Sequence, residues 1–468
     1  MVFASPRKPI DVVAHGRLVG LTEDGSEALV APNGHSLLTA AAGSGKTVNG
    51  AATSLISCAA SFPDKAILVV DSKNGELFGQ FGDVLARYGR KVALIDPMGV
   101  FPADDPYRMN LNPMGAVVSA FRHAPEELVF ATENANSALI SDPSDDERNQ
   151  YFRDAPKSKM ELCERILLKR NPKLMTPGGL WSLLSNSVML KRFAEIEAEE
   201  GDPALKALAL NALALQGHEH EPQHREAALK ALRIFSAGSK LHHVGADADI
   251  THAELIRQNY VIFLVGPMKH MARLGAYYAL NILAFNDALY GGAGSLIKIL
   301  DEFTNCPLNT LVENITTERG FGGENHMIAQ SRSEIERKFG RLETETIEEN
   351  AIVKQWFGFS SFAEAERIAK AIGEERVINH SISRDEATAR LQQSYQLNKE
   401  LTVSAAQLMA MPPHMQLVWV KGVGFFFARK LGQHQISPIC ADAGDNPVEG
   451  GRLETDPRII MPFRNAAL

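Results

Sequence analysis

Residues 40–47 read Ala40-Ala41-Ala42-Gly43-Ser44-Gly45-Lys46-Thr47. They fill every defined place of the phosphate-binding pattern G-x-x-x-x-G-K-[ST] except the first, where Ala40 stands for glycine. The pattern has meaning only between a strand and a helix. Ser36-Leu37-Leu38-Thr39 reads as a short buried strand, and the small residues from Ala40 to Gly45 allow a tight turn before a helix that starts near Lys46. In such a loop, backbone N–H groups and the helix N-terminus surround the β-phosphate of ATP. Gly43, Ser44 and Gly45 supply the cradle, Lys46 reaches the β and γ oxygens, and the Thr47 hydroxyl holds Mg²⁺. Ala40 is compatible with this provided its φ is negative.

Outward from the loop, two apolar runs end in acids: Ala66-Ile67-Leu68-Val69-Val70 at Asp71, and Val92-Ala93-Leu94-Ile95 at Asp96. One helix fits between them, near residues 76–88, which is the rhythm of a parallel sheet with crossover helices. Strand runs then cease. Asp202-Pro203 reads as a cap and first-turn proline, with Leu205, Leu208 and Leu215 on related positions and Gly217 as a stop. Leu229, Leu232 and Phe235 repeat the arrangement, so residues 125–245 are expected to be mainly helical. Strands resume at residues 260–265, 296–300 and 326–329, and 416–420 is expected to turn at Lys421-Gly422 into Phe425-Phe426-Phe427. The expected architecture is an α/β RecA-like P-loop NTPase core with a mainly parallel sheet. It is split into residues 1–124 and 246–432 by a mainly helical insert at 125–245 and followed by an irregular tail at 433–468.

A phosphate loop needs a carboxylate at the end of a neighbouring strand, and Leu296-Ile297-Lys298-Ile299-Leu300-Asp301-Glu302 ends in two. Asp301 is expected to accept from magnesium-bound water or from Thr47, and Glu302 to polarise the attacking water as general base. Lys298 breaks the run, which predicts a strand unequally buried on its two faces. Asp71-Ser72-Lys73-Asn74-Gly75-Glu76 leaves a strand at the same sheet edge, making Asp71 a further candidate at the nucleotide site. Gln330, at the end of Ile328-Ala329-Gln330, is placed to sense the γ-phosphate or orient water. Arg319, followed by flexible glycines, is the first choice for an arginine acting across a subunit boundary, with Arg332 and Arg337 as rivals.

The rest of the composition narrows the class. A length of 468 residues, 45% hydrophobic and 22% charged, fits a globular chain with a large core. The four cysteines, Cys58, Cys163, Cys306 and Cys440, form no C-x-x-C pair, which fits a reducing compartment without a disulfide framework or thiolate zinc site. His218, His220, His242 and His243 read as polar surface, leaving Mg²⁺ brought with ATP as the metal expected. No segment approaches the roughly 20 apolar residues of a membrane span, so no intrinsic span is expected. The net charge of −8 argues against a uniformly basic exterior, while a basic channel inside a ring stays compatible with it.

Taken in order, these motifs resemble the VirD4/TraG coupling ATPases of type IV secretion and conjugation. The likeness rests on Gly43-Ser44-Gly45-Lys46-Thr47, on Asp71-Ser72-Lys73-Asn74-Gly75-Glu76 with one extra residue before Glu76, and on Leu300-Asp301-Glu302-Phe303 and Ile328-Ala329-Gln330-Ser331. It extends to the ending Leu408-Met409-Ala410-Met411-Pro412-Pro413, Gln416-Leu417-Val418-Trp419-Val420-Lys421-Gly422 and Ala428-Arg429-Lys430, and so spans roughly residues 12–432. The resemblance implies a homo-hexameric ring whose helical insert receives substrate, with Arg319 where a trans-acting arginine is expected. It implies transport of single-stranded DNA with its relaxase, or of effector proteins, and secretion-channel components as partners. The family commonly carries an N-terminal transmembrane hairpin that this sequence lacks. That departure predicts a cytoplasmic motor, held at the inner membrane through partners if at all. A helicase or packaging motor and a nucleotide-gated adaptor with little turnover are the competing readings.

Overall fold

The computed structural model describes residues 12–140, 150–305, 309–384 and 391–463; Cys306 and the start of the chain lie outside them. In chain order the strands are β1 (Val12–Val13), β2 (Leu18–Leu21), β3 (Ala28–Val30), β4 (Ser36–Thr39), β5 (Ala66–Asp71), β6 (Val92–Ile95), β7 (Val261–Val265), β8 (Leu296–Asp301), β9 (Gly323–Ala329) and β10 (Val353–Trp356). They continue with β11 (Glu374–Arg384), β12 (Leu391–Leu401), β13 (Met415–Val420), β14 (Gly424–Arg429), β15 (Ile436–Ser437) and β16 (Ile459–Ile460).

Eleven strands join one sheet in the order β3-β2-β14-β13-β10-β4-β9-β8-β5-β7-β6. Every neighbour pair from β10 to β6 is parallel, and every pair from β10 back to β3 is antiparallel. The parallel part is buried on both faces, and the period of two assigns its side chains. Leu68, Val70, Leu264, Leu300 and Met327 enter one core with the helical region. Val69, Phe263, Val265, Ile299 and Ile328 enter the other with helices Ala52–Ser61 and Glu76–Arg87.

Lys298 corrects one expectation. It does not mark an exposed face, because β8 is buried along its whole length and Lys298 itself is 0% exposed. Its ammonium donates to both Glu318 carboxylate oxygens at 2.8 Å and to Asn286, while Asn325 Nδ2 donates to the same carboxylate at 2.7 Å. Burial lowers the Lys298 pKa and Glu318 opposes that shift. A charge is tolerated here because its partner is buried with it.

Among the strands that the sequence does not announce are β10 and the pair β11 and β12. In β10 the polar Gln355 is buried, its amide donating to Gln416 Oε1 at 2.9 Å and to the Val19 carbonyl at 3.1 Å, so amide pairing replaces apolar packing. The ribbon β11–β12 is polar along much of its length and pairs only with itself.

Between β6 and β7 the described residues form no strand. They form the α-helices Gly115–His123, Leu128–Leu139, Gln150–Arg170, Pro177–Ser185, Ser187–Glu200, Pro203–Ala214, Glu221–Ala231 and His252–Arg257. The caps explain the starts: Asp202 accepts from Ala204 and Leu205 N–H ahead of Pro203, and Thr176 accepts from Gly179 ahead of Pro177. After residue 432 the backbone is mostly irregular, yet Ile436, Ile439, Ile459 and Met461 are buried in the core under β5 and β7.

Replacing Lys298 with Met leaves the Glu318 charge uncompensated and is expected to cost about 3–5 kcal/mol. The double change Lys298→Met/Glu318→Leu should recover much of it, as read from urea unfolding midpoints of the full chain.

Candidate nucleotide-binding site

The carboxyl ends of β4, β9, β8 and β5 lie side by side, so the segments that follow them meet along one edge. The loop after β4 turns on Gly43 (φ 75°) and Gly45 (φ 82°), while Ala40 stays outside the left-handed region, meeting the condition on its substitution. Ser44 closes the turn through its N–H and hydroxyl, both donating to the Ala41 carbonyl, at 3.1 and 2.6 Å. A wide helical turn over Thr47–Ala51 leads into the helix Ala52–Ser61.

Asp301 and Glu302 stand one strand away, with β9 between them and the loop strand. Lys46 forms an ion pair with Glu302. Lys73 Nζ lies 2.9 Å from Asp301 Oδ2, 3.5 Å from Glu302 Oε1 and 3.4 Å from the Thr47 hydroxyl. Thr47 itself points at Asp301, its Oγ1 being 3.5 Å from Oδ2. Gln330 Nε2 donates to Glu302 Oε1 at 3.3 Å. The loop lysine and threonine, both acids and the glutamine are therefore joined in one network.

Glu302 has φ 54°, a left-handed conformation that a glutamate adopts at a cost of about 1–3 kcal/mol. The turn sets its carboxylate against the two lysines. Burial acts to raise the Glu302 pKa, but the Lys46 hydrogen bond, the Lys73 and Lys46 charges and Gln330 outweigh it and hold the group below the usual range. Its ionised form adds stability above the ordinary glutamate pKa, and this contribution is lost as pH falls through the folded value. Burial likewise acts to lower the Lys73 pKa, and Asp301 and Glu302 reverse the shift upward.

Asp71 takes a different place. Its Oδ2 accepts from Leu77 N–H at 2.9 Å and Phe78 N–H at 2.8 Å, so the carboxylate caps the helix Glu76–Arg87. Burial pushes its pKa up to about 7 against those two donors. The group this segment sends into the network is Lys73, which the sequence marked only as part of a motif; its spacing between two acids across the sheet edge was invisible in one dimension.

Arg319 is exposed in the turn Glu318–Phe321 that precedes β9, at the opposite end of that strand from Gln330. Its neighbour there is Gly34: a Cβ added to that glycine would stand 3.8 Å from the guanidinium carbon. Within one chain it is apart from the loop. Arg332 is engaged by Glu336 and Glu348, while Arg337 is exposed.

The donors fit a hard cation. Asp301 Oδ1 is buried without a hydrogen-bond partner among the described residues, while Oδ2 of the same carboxylate lies 3.5 Å from the Thr47 hydroxyl. A carboxylate plus a hydroxyl, with phosphate and water filling the remaining positions, is a set Mg²⁺ takes. Among the described residues no cluster of three His, Cys, Asp or Glu side chains is suited to a metal.

Sheet order and loop together define a RecA-like P-loop NTPase core. Residues 296–413 match the family model described as the TraM recognition site of TraD and TraG. Among solved structures, the bacterial conjugative coupling protein TrwBΔN70 in complex with sulphate is similar at a TM-score of 0.63 and 14% identity, covering 92% of this chain and 95% of that one. TrwB in complex with ADP and Mg²⁺ gives 0.62 and 14%, over 91% of this chain and 89% of that one. TrwB in complex with an ATP analogue gives 0.61 and 14%, over 85% of each. At such identity the likeness is one of fold. No curated protein matches the chain. The motif resemblance to VirD4/TraG coupling ATPases is thus repeated in both the segment match and the fold. Among the described residues no helix is long and apolar enough to cross a membrane.

Asp71→Asn is expected to lower stability by about 1 kcal/mol, as loss of a charged helix cap does. Its effect on the affinity for Mg-ADP should stay within about twofold, since the carboxylate faces backbone donors. Thermal melts and titration calorimetry on the same samples check both halves.

Proposed function

We propose that this chain is an ATP-driven coupling protein that recruits a cargo and moves it for a type IV secretion or conjugation system. One observation carries the enzymatic part: the acid pair ending β8 is bonded directly to the loop lysine, the loop threonine and Gln330. The segment match and the shared fold with TrwB, itself solved with ADP and Mg²⁺, support the choice of ATP and of the coupling role.

On this reading Gly43, Ser44 and Gly45 bind the β-phosphate through backbone N–H groups. Thr47 and Asp301 would hold Mg²⁺, which would supply charge neutralisation at the phosphates. Lys46 leaves Glu302 for the phosphates when ATP enters, and freed Glu302 becomes the acceptor for the proton of the attacking water. Gln330, already within reach of Glu302, orients that water. Asp71 supports the site from behind by fixing the helix after Lys73.

Arg319 lies far from its own loop, so its part in hydrolysis is assigned to the neighbouring subunit of a homo-hexamer. Residues 125–245 serve as the recruitment domain between the two halves of the motor, 1–124 and 246–432. That region has a cavity of about 580 Å³ lined by Tyr151, Lys159, His220 and His224, and it exposes Tyr151 and Phe152 beside it. The cargo is single-stranded DNA with its relaxase, or an effector protein. The protein works in the cytoplasm, reaching the inner membrane through channel partners.

Steady-state ATP hydrolysis over a protein concentration series, with and without single-stranded DNA, tests the reading; flat, negligible turnover throughout would count against the motor. Lys46→Ala should abolish most nucleotide affinity, whereas Glu302→Gln should retain it and lose about 10²–10⁴ in turnover. Arg319→Ala should depress turnover by about 10³ in assemblies. Mixing Arg319→Ala with Glu302→Gln subunits should restore part of it, because some boundaries then hold both intact groups.

A further inference from the structure

Lys430, the residue after β14, reaches the phosphate loop from the closing hairpin. Its Nζ donates to the Ser44 carbonyl at 3.0 Å and to the Phe357 carbonyl at 3.1 Å, and stands 4.8 Å from the centre of the Phe357 ring. The next residue is fixed as well, since Thr53, in the helix after the loop, donates its hydroxyl to the Leu431 carbonyl at 2.7 Å. Among the described residues no carboxylate pairs with Lys430. Burial alone pushes its pKa down to about 8. A cation held by two carbonyls and an aromatic face is therefore set beside a loop whose own lysine is already committed to an acid.

We infer that Lys430 is a positioning residue of the phosphate loop: by holding the Ser44 carbonyl it sets the Ser44–Gly45 peptide so that Gly45 N–H faces a bound phosphate, and it adds an unpaired positive charge behind that peptide. The inference rests on the ATP-binding reading of the loop. A trans peptide is planar, with C=O and N–H on opposite sides. Fixing the carbonyl toward Lys430 turns the Gly45 N–H away from it, and that N–H makes no hydrogen bond within the described residues. The constraint is needed because Gly43 and Gly45 flank Ser44 with positive φ, leaving the peptide free to rotate at little steric cost. Phe357 N–H donates to the Thr39 carbonyl at 3.1 Å, so the second acceptor of Lys430 is itself tied to the strand entering the loop.

Lys430→Met keeps the aliphatic stem over Phe357 and removes the donor; Lys430→Arg keeps a cation and several donors. Binding of a fluorescent ADP with Mg²⁺ is measured for both, for the wild type and for Lys46→Ala, together with ATPase KM and kcat, melting temperature, and hydrogen exchange of residues 40–47 without nucleotide. Lys430→Met should weaken binding about tenfold, the worth of one charge-assisted hydrogen bond. It should raise KM more than it lowers kcat and speed exchange in the loop alone, with the melting temperature nearly unchanged, and Lys430→Arg should restore most of the affinity. Wild-type binding that Lys46→Ala abolishes and Lys430→Met leaves within twofold overturns the role of Lys430 while the ATP reading stands. A loss that comes with faster exchange throughout the chain and a lower melting temperature also overturns it, as a purely structural effect. Wild-type protein whose binding is absent, or indifferent to Lys46→Ala, overturns the ATP reading and this inference with it.

Discussion

Two carboxylates standing side by side at the buried end of a strand repel each other and lose their hydration, and without compensation they do not both stay ionised. Asp301 and Glu302 are kept there by Lys46 and Lys73, which arrive from the loops after β4 and β5. Those lysines reach the acids only if β9 separates β4 from β8 and β5 adjoins β8, so the strand order is tied to the charge balance of one sheet edge. In a nucleotide-free chain the cations neutralise the protein's own acids. On the proposed ATP-binding reading the same cations would turn to phosphate when nucleotide enters, and Mg²⁺ would supply part of the compensation at Asp301. Binding on these terms exchanges one set of ion pairs for another, and few buried charges are left alone at any stage.

The parallel half of the sheet was legible because its strands are apolar on both faces, and continuous runs such as Ala66–Val70 announce themselves. The helical region was legible through caps such as Asp202-Pro203. What escaped were places where polar atoms do the packing. Gln355 in β10 is satisfied by Gln416 from a strand 61 residues away, and no local pattern encodes that. Lys298 misled for the same reason, since Glu318 neutralises it only after folding. In the site, the motifs named Lys46, Thr47, Asp301, Glu302 and Gln330, and the structure joins them. They could not say that Asp71 would turn to a helix terminus or that Lys73 would stand between Thr47 and Asp301. Side-chain direction is a three-dimensional property.

The buried pair Lys298–Glu318 also bears on the far end of the molecule. Glu318 opens the turn that presents Arg319, and its carboxylate is held by Lys298 and Asn325 at the same time. The exposed arginine is therefore attached to a fixed point in the core, which limits the backbone entropy that any contact made by it would cost.

The position of β4 has a consequence for synthesis. Both of its neighbours, β9 and β10, come later in the chain, and Ser36 meets His326 across 290 residues. While the polypeptide leaves the ribosome, this short apolar strand and the loop behind it have neither edge covered, and the nucleotide cradle has no acids opposite it. The helical region emerges in that interval and has local contacts to form by itself. Final closure of the sheet is a long-range event late in translation, and until then β4 is an open edge of the kind chaperones shield.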